Sequence, residues 1–296
     1  FNGSHSYSAT DVYYGTMDGN NDLIPDLLIG RLPASSESDA TRMVGKTVDY
    51  IRFDLGTGSD WIKRSTFMAS VDYHWVSENT HDYCISSWLE PDGYTCERRY
   101  YHSQNATTNQ VINDINAGLS HLTSSGHGYT SGWSDGPPID ANQIPGLANA
   151  GMLPVVQSYA CYTGDYASGE CFGESWLRAS NGAVAFWGSS TTSYWDEDDI
   201  MQRDVYDAWY GAGVTWLRGA LDEGLWGLHQ AYGGGGMSRA YYEQFNLLGD
   251  PALDVWTAPP GPMDVSHPTT VAPGTADVTL TVTGSGGSAI QDALVC

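Results

Sequence analysis

The chain has 296 residues, which is enough for one large or two ordinary domains with a sizeable hydrophobic core. Its 35 acidic residues outnumber 12 Lys and Arg, and the net charge of −23 makes nucleic acid and anionic membrane surfaces poor partners while favouring cationic substrates and metal ions. No apolar run approaches the roughly 18 residues that a membrane helix needs, so we predict no membrane insertion.

The termini and the cysteines bear on the origin of the chain. It starts at Phe1 without Met and stops at Cys296 within a strand pattern, so we expect a fragment that is truncated at both ends. Few Lys, abundant Ser, Thr, Gly, Trp and Tyr and strong acidity favour a secreted or cell-surface protein. Cys84 and Cys96 are close enough in sequence for a disulfide in an oxidising compartment, but their pairing stays open, while Cys161 should be free.

Oxygen-bearing side chains alternate near the N-terminus. Asp18, Asn20 and Asp22 occupy every second position, as in the first half of an EF-hand loop, and Asp26 follows. Hard oxygen ligands in this pattern can surround Ca²⁺. The loop lacks the glycine at the sixth position and the glutamate at the twelfth, so it is not an EF-hand. A polar turn held by Asx hydrogen bonds is the alternative.

Helical and strand patterns follow in order. Apolar spacing predicts a helix over 38–53, and a linker at 55–59 closes a first, incomplete α/β subdomain at residues 1–60. The run 65–71 has the pattern of a buried strand that ends at Asp72. A helix around 81–89, a strand at 95–101 and a helix at 109–116 come next. In a parallel sheet, the carboxyl end of such a strand faces the ligand-binding crevice.

Two further β-prone runs end at a reactive side chain, His127 and Cys161. Neighbouring parallel strands would bring this imidazole and thiol to one rim, as a nucleophile and its base require. The backbone N–H groups of Gly128 and Cys161 would then point at the developing oxyanion, and Asp72 would hold the imidazole in the right tautomer. A lone His or Cys is usually structural, but the glycine-rich flanks favour a catalytic dyad.

Three sequence blocks resemble one known family. They are SGHG at 125–128, YACYTGD at 159–165 and CFGESW at 171–176. In this order they resemble the gingipain-type cysteine peptidases, peptidase family C25 of the caspase-like clan, over about 11–256. The resemblance implies an α/β, caspase-like three-layer sandwich with a mostly parallel sheet, whose catalytic subdomain spans 61–257. It also implies a secreted cysteine endopeptidase that hydrolyses protein or peptide substrates through a thioester, without an organic cofactor.

The resemblance implies further site residues. The family carries a Glu where this chain has Asp72, so Asp72 is a shorter stand-in. Glu78 would lie at the floor of the pocket for the residue before the scissile bond and would select basic side chains; alternatively it is a helix-start carboxylate. The loop after the strand at 182–188 would wall this pocket, where Trp195 would stack on a cationic side chain or only pack on the neighbouring loop. The segment 11–31 would be a calcium-binding turn.

A second acidic group follows the candidate nucleophile. Asp165, Glu170 and Glu174 lie within one short stretch, which predicts either a second calcium site, with Asp204 as a distant candidate ligand, or an ordinary acidic loop and helix start.

The remaining segments complete the organisation. Helical spacing recurs at 204–210, 214–221 and 238–246, and a short edge strand lies within 247–256. A proline-rich boundary at 257–262 precedes alternating strands, so residues 258–296 are predicted to begin an immunoglobulin-like β-sandwich. Two rival functions stay open. With 11 Trp and 19 Tyr the chain also suits a carbohydrate-binding or glycosidase domain, and an inactive relative that serves as a binding scaffold is the third hypothesis.

Overall fold

The computed structural model describes residues 8–19, 22–53, 58–271, 274, 277–290 and 293. The first of two compact units ends at Thr257 and the second begins at Ala258. The predicted division at residue 60 is not a boundary between units. The described residues before it belong to the first unit, where Arg42 donates to the carbonyl oxygen of Arg178 at 2.7 Å and Arg31 forms a parallel bridge with Leu248.

Helices account for much of the first unit. The α-helices are α1 (Glu37–Arg52), α2 (His74–Cys84), α3 (Tyr101–Gln104), α4 (Thr108–Asn116), α5 (Phe172–Arg178), α6 (Trp195–Tyr206), α7 (Leu217–Tyr232) and α8 (Gly236–Gln244). Short 3₁₀ helices span Val12–Tyr14, Asp60–Lys63 and Ala141–Gly146, and single π-helical turns extend α2 at Ile85–Leu89 and α6 at Asp207–Gly211.

A six-stranded sheet forms the middle layer. The strands of all sheets in the described part of the chain are β1 (Arg64–Ala69), β2 (Thr95–Tyr100), β3 (His121–Ser125), β4 (His127–Tyr129), β5 (Gly132–Ser134), β6 (Ile139–Asp140), β7 (Val155–Tyr159), β8 (Ala185–Ser189), β9 (Phe245–Leu248), β10 (Met263–Ser266) and β11 (Thr281–Gly284). The large sheet has the order β2-β1-β3-β7-β8-β9, in which the first five strands are parallel and β9 is antiparallel to β8. The mostly parallel sheet is therefore confirmed.

Both faces of this sheet are covered. Ala185 and Trp187 of β8 pack into one apolar core with α6, α7 and α8, whereas Phe186 between them packs into another core with α4 and α5. Every residue of β3, β7 and β8 is buried. Buried continuous strands are what a parallel sheet between two helical layers requires, and the predicted three-layer sandwich is confirmed.

The strand register determines which loops meet. Ala69 of β1 pairs with Ser125 of β3, and Ser125 pairs with Tyr159 of β7. The chain leaves all three strands at this row, so Asp72, His127 and Cys161 follow it at one edge of the sheet.

Two helix boundaries, the start of α6 and the end of α7, differ from the sequence prediction. The sequence predicted a loop at 189–195 and a helix from 204, but α6 already begins at Trp195. Its first turn carries Asp196, Glu197 and Asp198, and negative charge at a helix N-terminus is favourable. The next helix, α7, continues past the predicted end at 221 until Gly233, whose φ of 66° ends it in the left-handed conformation.

The disulfide considered between Cys84 and Cys96 is not formed. Cys84 is buried in α2, and its Sγ lies 3.6 Å from Nε2 of Gln202, whereas Cys96 on β2 accepts a hydrogen bond from Ser65 Oγ at 3.1 Å. Burial raises the pKa of Cys96 to about 11. Both cysteines are free thiols, and each sulfur contacts its own partner, Gln202 or Ser65. Cys296 lies outside the described residues.

The second unit contains one antiparallel pair, β10 with β11, among its described residues. The immunoglobulin-like module stays a prediction. Across the described residues of both units, the longest helices are too short or too polar to span a bilayer.

Candidate active site

The segments that carry His127 and Cys161 are in direct contact. Gly126 donates its N–H to the carbonyl oxygen of Tyr159 at 3.1 Å, which continues the pairing of β3 with β7 beyond the last strand residues. A Cβ atom on Gly128 would lie 2.9 Å from the carbonyl oxygen of Cys161 and 2.8 Å from Cγ2 of Thr163. Only glycine permits so close an approach of the two backbones. The structure therefore brings the imidazole-bearing turn against the thiol-bearing turn.

Asp72 forms a hydrogen bond with His127. Its Oδ2 lies 3.1 Å from Nε2 of the imidazole. A carboxylate can only accept, so Nε2 carries the hydrogen and Nδ1 of the neutral ring keeps its lone pair for a proton from another group. The other oxygen, Oδ1, accepts the N–H of Tyr73 at 3.0 Å, which fixes the carboxylate. This hydrogen bond is the one that the predicted orienting role of Asp72 requires, and the role itself stays a prediction.

Cys161 lies in a tight turn after β7 and is half-buried. Tyr162, the next residue, has a φ of 60°, and its N–H donates to the carbonyl oxygen of Thr191 at 3.0 Å. The Sγ donates to the carbonyl oxygen of Ser193 at 3.7 Å. Burial raises the pKa of the thiol, hydrogen bonding at Ser193 lowers it, and the negative charge of Asp198 raises it further. The thiol therefore needs a base to form the thiolate.

Trp195 packs against the imidazole. Its ring centroid lies 5.5 Å from that of His127 in an edge-to-face arrangement, and it stacks on Tyr73 at 5.6 Å with an interplanar angle of 11°. The indole therefore packs beside the candidate site, and its stacking on a cationic ligand stays a prediction.

Asp198 is a site residue that the sequence analysis missed. It is buried in the first turn of α6, and the hydroxyl of Tyr241 donates to its Oδ1 at 3.0 Å. Burial raises the pKa of Asp198 to about 8. None of the ion pairs within the described part of the chain includes Asp198. The acidic run after Trp195 is the available signal, but the sequence analysis gives residues 196–203 no element.

Glu78 stays a predicted residue of the pocket. It is half-buried on α2, and its Oε1 accepts the N–H of Ser103 at 3.2 Å, at the contact with α3. No hydrogen bond or ion pair found among the described residues joins Glu78 to Cys161 or His127. The carboxylate whose charge acts on the thiol is that of Asp198.

Two groups of possible cation ligands occur among the described residues. In the first, carboxylate oxygens of Asp18, Asp22 and Asp26 all lie within 4.8 Å of one another; Asn20 is outside the described residues. Because Ca²⁺ binds oxygen at about 2.3–2.6 Å, two ligand oxygens on one ion are at most roughly 5 Å apart, so these carboxylates fit it. The same carboxylates accept backbone N–H groups: that of Met17 donates to Asp26 at 2.8 Å and that of Asp18 to Asp22 at 3.2 Å. Asp22 also accepts the N–H of Ile24 on its Oδ1 at 3.2 Å, which is an Asx hydrogen bond, so the polar turn given as the alternative is present and the calcium site stays a prediction.

Asp165 and Glu174 do not belong to either group of possible cation ligands in the described part. Glu174 caps α5 by accepting the N–H of Cys171 at 2.8 Å and pairs with Arg178 at 2.8 Å. Asp165 accepts the hydroxyl of Ser168 at 2.6 Å. These contacts are those of an acidic loop and a helix start, and the second calcium site stays a prediction.

The second group of possible cation ligands contains Asp72, His127 and Asp135, whose ligand atoms also lie within 4.8 Å of one another. The sequence analysis did not include Asp135, which lies after β5, because its contact with the end of β1 depends on the turn geometry.

Comparisons with known proteins identify the family and the fold. The model of the family described as Peptidase family C25 matches residues 2–256. Lys-gingipain HG66 of Porphyromonas gingivalis is 28% identical over 202 residues, which are 66% of this chain and 11% of the relative. Gingipain R2 of the same species is 25% identical over 278 residues, which are 89% of this chain and 37% of the relative. The chain thus spans only a part of these curated relatives.

Solved structures share the fold. A structure described as that of a protease superposes with a TM-score of 0.83 at 22% identity and covers 96% of this chain and 67% of the other. The crystal structure of the Arg specific cysteine proteinase gingipain R superposes with a TM-score of 0.79 at 22% identity and covers 93% of this chain and 66% of the other. The caspase-like fold predicted from the sequence is confirmed.

The environment of Asp198 predicts a pH dependence of stability. Its pKa is raised from 3.8 to about 8 in the folded protein. The contribution of the neutral carboxyl is therefore fully present below pH 4 and is lost as the pH rises through about 8, because unfolding then releases a proton. Relative to Asp198→Asn, the wild-type free energy of unfolding should fall by on the order of 5 kcal/mol over this range. Urea unfolding of both proteins between pH 5 and 9 measures this; parallel pH profiles would contradict it.

Proposed function

The chain belongs to peptidase family C25, and from this premise we propose that it is a cysteine endopeptidase in which Cys161 is the nucleophile and His127 the base. The observation that carries the proposal is the contact of Gly128 with the carbonyl oxygen of Cys161, next to the hydrogen bond between His127 and Asp72. This contact brings the turn with the oriented imidazole against the turn with the partly exposed thiol, which supports thiol nucleophilic catalysis by the two side chains.

The chemistry follows from this placement. Nδ1 of His127 takes the proton of Cys161, and the thiolate attacks the carbonyl carbon of the scissile peptide bond. The N–H groups of Gly128 and Cys161 stabilise the oxyanion that forms. The imidazolium, held by Asp72, then gives its proton to the leaving amine as the C–N bond breaks. Water hydrolyses the resulting thioester and restores the thiol, with His127 again moving the proton.

Asp198 favours a substrate with a basic residue before the scissile bond. A buried carboxyl that lacks a basic partner can pair with a cation supplied by a ligand, and this pairing favours the ionised form. Two relatives bear names that refer to Lys and to Arg specificity, so both act on cationic side chains. In this chain Asp198 takes the role that the sequence analysis gave to Glu78, and Trp195 offers an aromatic face to the same cation.

Calcium is proposed as a structural ion at Asp18, Asp22 and Asp26. Three carboxylates held within 4.8 Å of one another repel unless a cation or protons neutralise them. A bound Ca²⁺ would fix this turn further; among its hydrogen bonds, the N–H of Asp26 donates to the carbonyl oxygen of Gly15 at 2.7 Å. Such an ion stabilises the fold and takes no part in the peptide-bond chemistry.

An extracellular location is part of the proposal. The surplus of acidic residues, 35 against 12 basic ones, and the calcium turn both suit a calcium-rich medium outside the cell. The substrates there are proteins or peptides with basic residues.

Replacement of the nucleophile provides the most direct test. Cys161→Ala should reduce peptidase activity by about 10⁴-fold or more, because the covalent step is lost. It should also abolish stoichiometric labelling by a substrate-like thiol reagent, measured by mass spectrometry. Cys96→Ala, which removes another half-buried thiol, is the matched control and should keep both signals. Activity that persists in Cys161→Ala would exclude the mechanism, and glycan binding without any labelling would favour the rival binding functions.

The selectivity test compares two acidic residues. Asp198→Asn should lower kcat/KM for substrates with Lys or Arg before the scissile bond by roughly 10²-fold, since truncating one partner of a buried charge pair costs about 2–5 kcal/mol. Substrates with a neutral residue there should change far less. In the wild type, kcat/KM for cationic substrates should rise with pH through about 8, as Asp198 ionises. Glu78→Gln is the control; if it alone impaired basic substrates, the assignment of the pocket would be wrong.

Removal of calcium should lower thermal stability. At a Ca²⁺ concentration 100 times Kd, a single ion adds about 2.7 kcal/mol, which corresponds to roughly 5–10 °C in Tm for a unit of this size. Chelation followed by calorimetry measures the loss. Asp18→Asn should remove the calcium response, whereas Asp165→Asn should retain it. An identical Tm with and without chelator in the wild type would argue against the site.

A further inference from the structure

An open depression borders the candidate dyad. It is lined by Val71, Asp72, His127, Tyr129, Ser134 and Asp135. Three of these side chains offer ligand atoms within 4.8 Å of one another, one imidazole nitrogen and two carboxylate oxygens. This donor set differs from the calcium turn because it contains nitrogen, which suits a borderline-soft divalent ion better than a hard one.

The spacing matches a small ion. Oδ2 of Asp72 and Nε2 of His127 are 3.1 Å apart. Zinc binds imidazole nitrogen at about 2.0–2.1 Å and carboxylate oxygen at about 2.0–2.2 Å, so two such ligands in tetrahedral geometry are separated by roughly 3.4 Å. A Zn²⁺ ion can therefore replace the hydrogen between these atoms with a shift of a few tenths of an ångström.

Asp135, the third ligand, is held in place by backbone N–H groups of the segment that carries Asp72. Asp135 accepts the N–H of Asp72 on its Oδ2 at 3.1 Å, and its carbonyl oxygen accepts the N–H of Val71 at 2.7 Å. The segment of Asp135 is thus tied to the strand end that carries Asp72, while the pairing of His127 with Ser134 ties it to the imidazole. Binding requires little reordering of these three residues.

The charge of the depression favours a cation. Two carboxylates face one neutral or singly charged imidazole. Within the described residues no Lys or Arg forms an ion pair with Asp72 or Asp135, and the partner of Asp72 is His127. The site therefore carries uncompensated negative charge that a divalent ion neutralises.

We propose that Asp72, His127 and Asp135 form a site for a divalent transition-metal ion, Zn²⁺ in the first instance, with a fourth position open to water. The ion occupies Nε2, so the hydrogen of the neutral ring moves to Nδ1, which then has no lone pair for the thiol proton. The metal consequently opposes catalysis reversibly. This inhibitory consequence rests on the proposed peptidase mechanism, whereas metal binding itself does not.

Direct binding measurements test the site without reference to activity. Isothermal titration of the full chain with ZnCl₂ in excess Ca²⁺ should show one Zn²⁺ ion, and His127→Ala should lose it. Asp135→Asn should weaken Zn²⁺ at least about tenfold, since losing even an outer partner of a metal ligand costs 10–100-fold. Asp18→Asn is the matched control and should leave the Zn²⁺ affinity within about twofold of wild type.

Cys161→Ala separates this site from a site formed by the thiolate and the imidazole. The proposal requires that this variant bind Zn²⁺ as the wild type does, and that Co²⁺ bound to the wild type show no charge-transfer band from a thiolate. Loss of Zn²⁺ binding in Cys161→Ala, or unchanged affinity in Asp135→Asn that melts like the wild type, would overturn the proposal. If Asp135→Asn fails to fold, the Co²⁺ spectrum of the wild type and the Zn²⁺ affinity of Cys161→Ala test the proposal instead.

The effect on the enzyme is a separate measurement. Peptidase activity of each protein is compared with its own metal-free rate, and the Zn²⁺ concentration for half inhibition should rise at least about tenfold in Asp135→Asn. A site that binds Zn²⁺ without inhibiting an active enzyme would refute the consequence and leave the site standing. An inactive wild type that binds Zn²⁺ would refute the peptidase function instead.

Discussion

The parallel hydrogen bonding of β3 between β1 and β7 is the constraint on which the site depends. Its register places Ala69, Ser125 and Tyr159 in one row, and the chain leaves each strand there. Residues that are distant in sequence then follow at one edge, as the carboxyl ends of parallel strands generally allow. A slip in this register would turn the inward-facing residues of a strand outward, so the apolar cores on both faces of the sheet enforce it. The packing that stabilises the fold thereby also aligns Asp72, His127 and Cys161.

The meeting of the turns that carry His127 and Cys161 could be predicted from the sequence because its signals are local. Each strand is a short β-prone run, and each reactive residue lies next to a glycine that permits close backbone approach, as Gly128 shows against Cys161. Asp198 could not be found in this way. Its role depends on α6 starting at Trp195, and the aromatic and polar residues before it gave the pattern of a loop. Glu78 was assigned by resemblance, but its orientation on α2 is set by the contact with Ser103, which no local pattern encodes.

The acidic clusters show the same limit of prediction from local sequence patterns. Asp18, Asp22 and Asp26 are close in sequence and lie in one turn, so their proximity follows from the spacing. Asp165 and Glu174 are also close in sequence, yet Glu174 belongs to the cap of α5 and to Arg178, partners that the composition of the segment does not reveal. Asp135 joins Asp72 only because the β4–β5 turn folds back on the end of β1. Side-chain proximity is predictable within one turn, and across turns it depends on the tertiary structure.

Electrostatics link substrate binding to nucleophile formation. In the free protein, burial raises the pKa of Cys161, and above a pH of about 8, where Asp198 is ionised, the negative charge of Asp198 raises this pKa further. Above that pH, a cationic side chain that pairs with Asp198 in the proposed complex cancels this negative charge, so the pKa of Cys161 falls when the pocket is filled. The same pairing stabilises the ionised carboxylate, whose pKa is otherwise raised to about 8. In this pH range the thiolate thus becomes easier to form when a basic substrate is in place, whereas a substrate with a neutral side chain leaves the negative charge of Asp198 uncompensated.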